Sequence, residues 1–399
     1  MNIEPSGRLG NSAMRCHHSD MMAQYATARK RRVSQPRMSM RPVTVRSQRS
    51  TFRRFATLIA GGLATLVAAT GQAQGAAAAG YHVVKTIPVG AEGGWDYISI
   101  DAAARRLYVS HATKMVVIDL DRDTVVGEIT NTPGIHGIAI APELGRGFTS
   151  NGRDSSVTMF DLKSLAVLGR VKVTGANPDA IHFDAATKRV FTFNGRSANA
   201  TALDAATGAV LGTIALAGKP EFAQSDGKGR LFVNIETDPG QIQVIDTGTL
   251  KLIATYPLTG CDAPTGLAYD RARDRLFSVC GNRVLVVSNP TSGAMVASVP
   301  IGPGVDAVSY DESERLLLAS NGGDGTMTVI AQDGADRYTS LGNAKTRVGS
   351  RTMTIDPKTH RAYLATVQYG PTPAPTADQP RPRAPVIPGS FAILVLDRK

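Results

Sequence analysis

Asp96, His136, Asp179, Glu221, Asp306 and Arg351 recur at near-equivalent places along the chain, at steps of 40 to 45 residues with one double step. Carboxylates and an imidazole brought together can hold a divalent metal ion, the set here being Asp96, His136, Asp179, Glu221 and Asp306. One of the carboxylates would then serve as general base toward metal-bound water. Without a metal, the same groups would line a wet funnel for a small polar or cationic ligand. Each also has a plainer use. An Asp opening a strand caps backbone N–H groups or holds water, and a histidine is as often a satisfied structural side chain as a ligand. Trp95, the sole tryptophan, stands beside Asp96 and is either a funnel wall or a plug in the first repeat.

Residues so far apart meet only if the chain returns to one axis at each repeat, and the sequence carries such a period. Strand-ending positions fall at Asp101, Pro142, Asp184, Asp226, Asp270, Asp311 and Asp356, at intervals of 41, 42, 42, 44, 41 and 45 residues. Each is followed by an arginine (Arg106, Arg146, Arg189, Arg230, Arg275, Arg315, Arg361) that opens a strand rich in aromatic and branched residues. A third strand ends at Asp119, Asp161, Asp204, Asp246, Ser288, Ala331 and Asp397. A period of about 40–45 residues carrying four short strands is the dimension of a propeller blade.

The fourth strand shows how the ring closes. Val125-Val126-Gly127-Glu128-Ile129 and Val167-Leu168-Gly169-Arg170-Val171 resemble one another, whereas the sixth copy, around Arg337 to Leu341, is degenerate. The seventh repeat stops at Lys399 before a fourth strand, while Val83 to Gly90 stands ahead of the first repeat with the fourth-strand pattern and no blade of its own. The expected fold is therefore all-β: a seven-bladed β-propeller over 81–399, four antiparallel strands per blade, the last blade closed by the N-terminal strand.

Arg106-Leu107-Tyr108-Val109, Val116-Val117-Ile118-Asp119 and Thr207-Gly208-Ala209-Val210-Leu211-Gly212-Thr213-Ile214 resemble the YVTN-repeat propellers, the YncE-like family, from about Tyr81 to Lys399. Stretches such as Gly94-Trp95-Asp96-Tyr97 and Phe191-Thr192-Phe193-Asn194 resemble an exported bacterial branch of it. The resemblance implies the fold strongly and chemistry weakly, with binding or surface roles and no common reaction.

Loops joining second and third strands would form an outer rim, with His111, Arg153 and Arg196 as candidates. Their Asn-Gly pairs, such as Asn151-Gly152 and Asn194-Gly195, read first as turn chemistry supplying positive φ. The longest such loop, Gly370 to Gly389, carries seven prolines and should be stiff. It would fold over the funnel mouth, offer a docking strip to a partner, or be an inert excursion. Cys261 precedes the innermost strand of blade five and Cys280 ends its neighbour, near register across a hairpin turning near Ala272. A disulfide is expected, the alternative being two free thiols.

The net charge of +11 is local. Twelve of the 44 Lys/Arg and two of the 33 Asp/Glu lie in residues 1–54, a basic leader that leaves the rest of the chain near +1. An uncharged apolar run follows from Phe55, and small residues continue to Gly80, with cleavage after Ala73 or within Ala76 to Ala79. This is the pattern of a signal peptide over 55–80; its apolar core, about 15 residues, is shorter than the ~20 of a membrane span. An uncleaved anchor is the alternative, and Met38 or Met40 would give a leader of ordinary length. Periplasmic or secreted placement by the general export route, no membrane span in the mature protein and a monomeric state are the expectations.

Near-neutral charge after export counts against nucleic acid as a partner. Nucleophile-elbow, phosphate-loop, dinucleotide, zinc-protease and haem motifs are all missing. Two readings stand: a module binding a small polar ligand or a protein through its funnel face, and a metal-assisted, lactonase-like hydrolase using the axial Asp/Glu/His ring.

Overall fold

A computed structural model describes residues 79–398, apart from 92, 335, 377 and 378. The leader and signal segment expected over 1–80 lie, but for Ala79 and Gly80, outside the described residues. Seven four-stranded antiparallel sheets stand around one axis. In six of them the strands follow chain order from the axis outward. Blade one runs through Trp95–Asp101, Arg106–His111, Lys114–Asp119 and Thr124–Ile129. The innermost strands of the next five are Ile135–Ala141, Pro178–Asp184, Lys219–Ser225, Pro264–Asp270 and Val305–Asp311.

Blade seven is composite. Met353–Ile355, Ala362–Thr366 and Ala392–Arg398 are joined at the outer edge by Tyr81–Pro88. The closing pair runs from Tyr81 opposite Arg398 to Pro88 opposite Ala392. Ile87 is only 1% exposed and packs with Phe391 and Ile393 of blade seven and Ile98 and Leu107 of blade one. One N-terminal strand thus supplies apolar contacts that hold the two ends of the ring together.

The periodic acids and arginines have structural jobs. Asp101 accepts a hydrogen bond from the Ala104 N–H at 2.9 Å, and Asp270 one from Arg273 at 3.0 Å, which closes the first hairpin of each blade. Several also reach the next blade: Asp184 accepts from the Ser225 hydroxyl at 2.6 Å, Asp311 meets the His360 imidazole at 2.7 Å, and Asp356 meets Arg105 of blade one at 2.7 Å. In blades one to five the arginine that opens the second strand reaches the outer turn of the following blade. Arg106 donates to the Leu162 carbonyl, Arg146 to that of Ala205, Arg189 to Thr247 and Gly248, Arg230 to Pro290, and Arg275 to Asp336. Arg361 instead pairs with Asp397 in its own blade.

The sixth fourth strand is complete, contrary to its degenerate sequence. Tyr338–Lys345 pairs along the whole of Thr326–Gln332, with the register shift near its start that the other outer strands show. Backbone hydrogen bonds make that ladder, and Tyr338 supplies packing against Phe277 at 5.8 Å. The disulfide forms as expected between Cys261 and Cys280, Cα atoms 5.3 Å apart. Cys261 sits in the loop ahead of the strand, because Cys280 is opposite Pro264.

Ring closure makes a sharp expectation for Ile87. Replacing it by alanine should lower the unfolding free energy by about 2–4 kcal/mol. Deleting 81–89 should abolish cooperative unfolding in denaturant. Loss of local order alone, with the cooperative transition intact, would contradict closure.

Candidate functional site

Every innermost strand but one begins with a break in its ladder. Pairing skips from Trp95 to Ile98, Ile135 to Ile138, Pro178 to Ile181, Pro220 to Ala223, Pro264 to Leu267 and Val305 to Ala307. Such bulges free a residue from the ladder and re-aim its side chain. Asp96, His136, Asp179, Thr265 and Asp306 are each the second residue of their strand, Glu221 the third, and Arg351 stands two places ahead of Met353–Ile355. Seven blades therefore deliver seven polar side chains to one layer at the mouth of the axis.

The contacts in that layer cross from blade to blade. His136 Nδ1 is 2.7 Å from Asp96 Oδ2 and 3.6 Å from Asp179 Oδ1. Arg351 lies 3.2 Å from Asp306 and 4.0 Å from Asp96. Lys219 pairs with Glu221 and, at 2.6 Å, with Glu236. Beneath them the Tyr97 hydroxyl donates to Glu221 Oε2 at 3.2 Å, and the Tyr97 ring meets Phe222 edge-on at 4.8 Å. Blades one and four are as far apart as two members of a seven-blade ring can be, so these contacts cross the axis. Tyr97 and Phe222 form the floor of a charged cup. A separate cavity of about 440 Å³ lies below, lined by Ile98, Ile138, His182, Gln224, Arg271 and Ile355 among others.

Five carboxylates in the cup face three cationic groups. Burial raises the Asp179 carboxyl to about 6, the Asp96 charge adding to it while His136 and Lys219 oppose it. Asp306 is raised to about 6 in the same way, against Arg351. Glu221 is pushed up by burial and by Asp179, with Lys219 opposing. For Asp96 burial is outweighed by the hydrogen bond and charge of His136 and by Arg351, which hold it below the usual range. Burial would lower His136, but its bond to Asp96 and the nearby Asp179 raise it to about 9. Uncompensated negative charge in a half-dry cup favours a cation.

Six of the residues expected at the axis, Asp96, His136, Asp179, Glu221, Asp306 and Arg351, share this layer. Trp95 does not: it pairs opposite His111 and packs against Phe391 at 5.7 Å, a plug between blades one and seven rather than a funnel wall. His111 is no rim residue either. It is buried and stacked on Phe391 at 4.2 Å, because the strand register turns it into the inter-blade core. Arg153 and Arg196 are exposed on the loops of blades two and three.

The Asn-Gly pairs do not supply positive φ, which falls instead on Ser155, Ala198 and Gly325. Asn151 donates to Ser156 and Thr158, closing its turn, and a Cβ at Gly152 would lie 2.6 Å from His136 Nε2. Gly152 is needed for close approach to the imidazole. The proline-rich loop is pinned at its base, where Gly370 N–H donates to Pro385 and Ile387 N–H to Gln368, both at 2.8 Å. A Cβ on Gly349 would meet Tyr369 Oη at 2.6 Å, so that base adjoins the turn carrying Arg351.

Lys219, Tyr97 and Thr265 belong to the cup although sequence reasoning did not select them. The Thr265 hydroxyl is buried without a hydrogen-bond partner. Its position as the second residue of its strand was the available signal. Lys219 carried none, since only folding sets it between two carboxylates.

No protein-family model matches the sequence, and no curated protein matches it. Solved structures do. Hydrazine synthase from Kuenenia stuttgartiensis superimposes with a TM-score of 0.62 at 14% identity, covering 77% of this chain and 97% of that one. The RRP9 WD40 repeats give 0.65 at 7% identity, over 82% and 99%. A chain of the Mitotic Checkpoint Complex gives 0.64 at 11%, over 88% and 99%. At these identities the likeness is one of fold: a seven-bladed propeller.

The raised Asp179 carboxyl sets a pH dependence. The native state holds that proton more tightly than the unfolded chain, so its contribution to stability falls as pH rises from 3.8 to about 6 and stays unfavourable above. Asp179→Asn should raise the melting temperature by roughly 2–4 °C near pH 8. The gain should vanish below about pH 4. A lower melting temperature near pH 8 would show that the charge is fully compensated.

Proposed function

We propose that this chain is an exported propeller of the YncE-like kind that binds a small cationic ligand through the mouth of its axis. The observation that carries this reading is the charge imbalance of the cup: five carboxylates, three of them raised by burial, against His136, Lys219 and Arg351. A ligand ammonium would relieve that repulsion at the layer where seven blades converge. Export rests on the leader and on the disulfide, which persists in an oxidising compartment. The monomeric state and the lack of affinity for nucleic acid follow the same reading of the sequence. Arg153, Arg196 and the proline-rich loop flank the mouth and suit a protein partner.

Metal-assisted hydrolysis is a second reading, favoured by one feature, the proximity of Asp96, His136 and Asp179. Lactone turnover by the purified protein, lost on chelation, would bring it forward.

Titration calorimetry with putrescine and tetramethylammonium, and with acetate as the anionic control, tests the binding reading. Either cation should bind, acetate should not, and Glu221→Gln should weaken binding by at least about tenfold. Arg153→Ala should leave binding unchanged. Equal affinity for acetate and the cations, or no effect of Glu221→Gln, would remove the proposal.

A further inference from the structure

We infer that Asp96, His136 and Asp179 form a site for one divalent transition-metal ion, of the Zn²⁺ or Mn²⁺ class, on one side of the cup. The inference rests on the reading of the axial mouth as the binding face and narrows part of it to a specific ligand. Three consecutive blades each contribute one donor atom, from Asp96, His136 and Asp179, all within 4.8 Å of one another; His136 Nδ1 lies 2.7 Å from Asp96 Oδ2 and 3.6 Å from Asp179 Oδ1. Proximity of acids is not sufficient by itself, since carboxylates cluster for many reasons.

The second observation is the state of Asp179. The residue is 8% exposed, yet its Oδ1 is buried and accepts no hydrogen bond. A buried carboxylate oxygen without a donor costs about 1–3 kcal/mol or more, and structures rarely keep one without a use. This oxygen points at His136 Nδ1 from 3.6 Å, too far for a hydrogen bond and close enough to share an ion with it. The Thr265 hydroxyl, on the second residue of the innermost strand of blade five, is also buried and unpaired.

The donor set selects the ion. One imidazole nitrogen with two carboxylate oxygens suits Zn²⁺ or Mn²⁺. Ca²⁺ would require six or more oxygens, which this corner does not offer. Gly152 matters here: it packs within 2.6 Å, measured from a would-be Cβ, of His136 Nε2, so the ring is seated with Nδ1 toward the two acids. On binding, the ion takes the place of the proton between His136 Nδ1 and Asp96 Oδ2, and that proton leaves to solvent. Arg351 and Lys219, paired with Asp306, Glu221 and Glu236, confine the site to the side occupied by blades one to three.

The purified full chain, dialysed against a chelator and then back into buffer, is titrated with ZnCl₂ and with MnCl₂ by calorimetry. Thermal melting is followed in parallel. One ion per chain should bind, with release of about one proton read from the buffer dependence of the heat. Asp179→Asn and His136→Gln should each weaken binding by at least about tenfold and remove the metal-dependent rise in melting temperature. Melting of each variant without metal shows whether it has folded. No uptake of either ion, or uptake unchanged in both folded variants, overturns the inference. Binding of putrescine without either metal would sink the metal site and spare the cationic-ligand reading; binding of neither probe would sink both.

Discussion

Closing the ring is the constraint on which everything else depends. Seven sheets share an axis only if the first and last are held together, and here a single strand, Tyr81–Pro88, pairs with Ala392–Arg398 to complete the sheet begun by Met353–Ile355. The interaction works twice over. Its ladder satisfies the backbone of the outer edge of blade seven, and Ile87 fills the seam between blades seven and one. Without it the axial layer would lose its geometry, because Asp96 comes from blade one, Arg351 from blade seven, and the two meet across that seam at 4.0 Å.

Inter-blade polar contacts on the far side of the molecule reinforce the same ring. The strand-ending acids and the arginines five or so residues later mark the repeat in sequence because they do the same job in most blades: one closes a hairpin, the other reaches into the next blade's outer turn. These bonds are partly buried and charge-assisted, so they fix blade-to-blade registration as well as adding stability. Where the pattern changes, as with Arg361 pairing inside its own blade, the neighbour has changed too. Blade seven meets blade one through Arg105 and Asp356 instead.

With the far side clamped and the seam closed, the mouth is free to carry strain. Bulges release the start of the inner strands from their ladders, and the released positions hold charge that a packed core would exclude. Tyr97 and Phe222 seal the floor, which keeps the cup partly dry and strengthens every charge interaction inside it. Raised carboxyls on Asp179 and Asp306 are the result. An arrangement of this kind gives up stability at the mouth.

Sequence alone determined the architecture, because a repeat of four strands leaves its mark in every copy: the blade count, the closing strand, the cysteine pair and six members of the axial layer could all be read by position. It failed where side-chain direction depends on neighbours far along the chain. Trp95 reads as a funnel wall or a plug and His111 as a rim residue, and the register that pairs them turns both into the seam under Phe391. Gly152 and its partners look like turn formers, yet their use is to let His136 approach. Lys219 and Tyr97 gave no signal, since Lys219 also needs Glu236 of the neighbouring strand and the partner of Tyr97 comes from across the axis. Periodicity records what each blade does alone; only closure of the ring decides which groups from different blades share a charge, a proton or an unpaired oxygen.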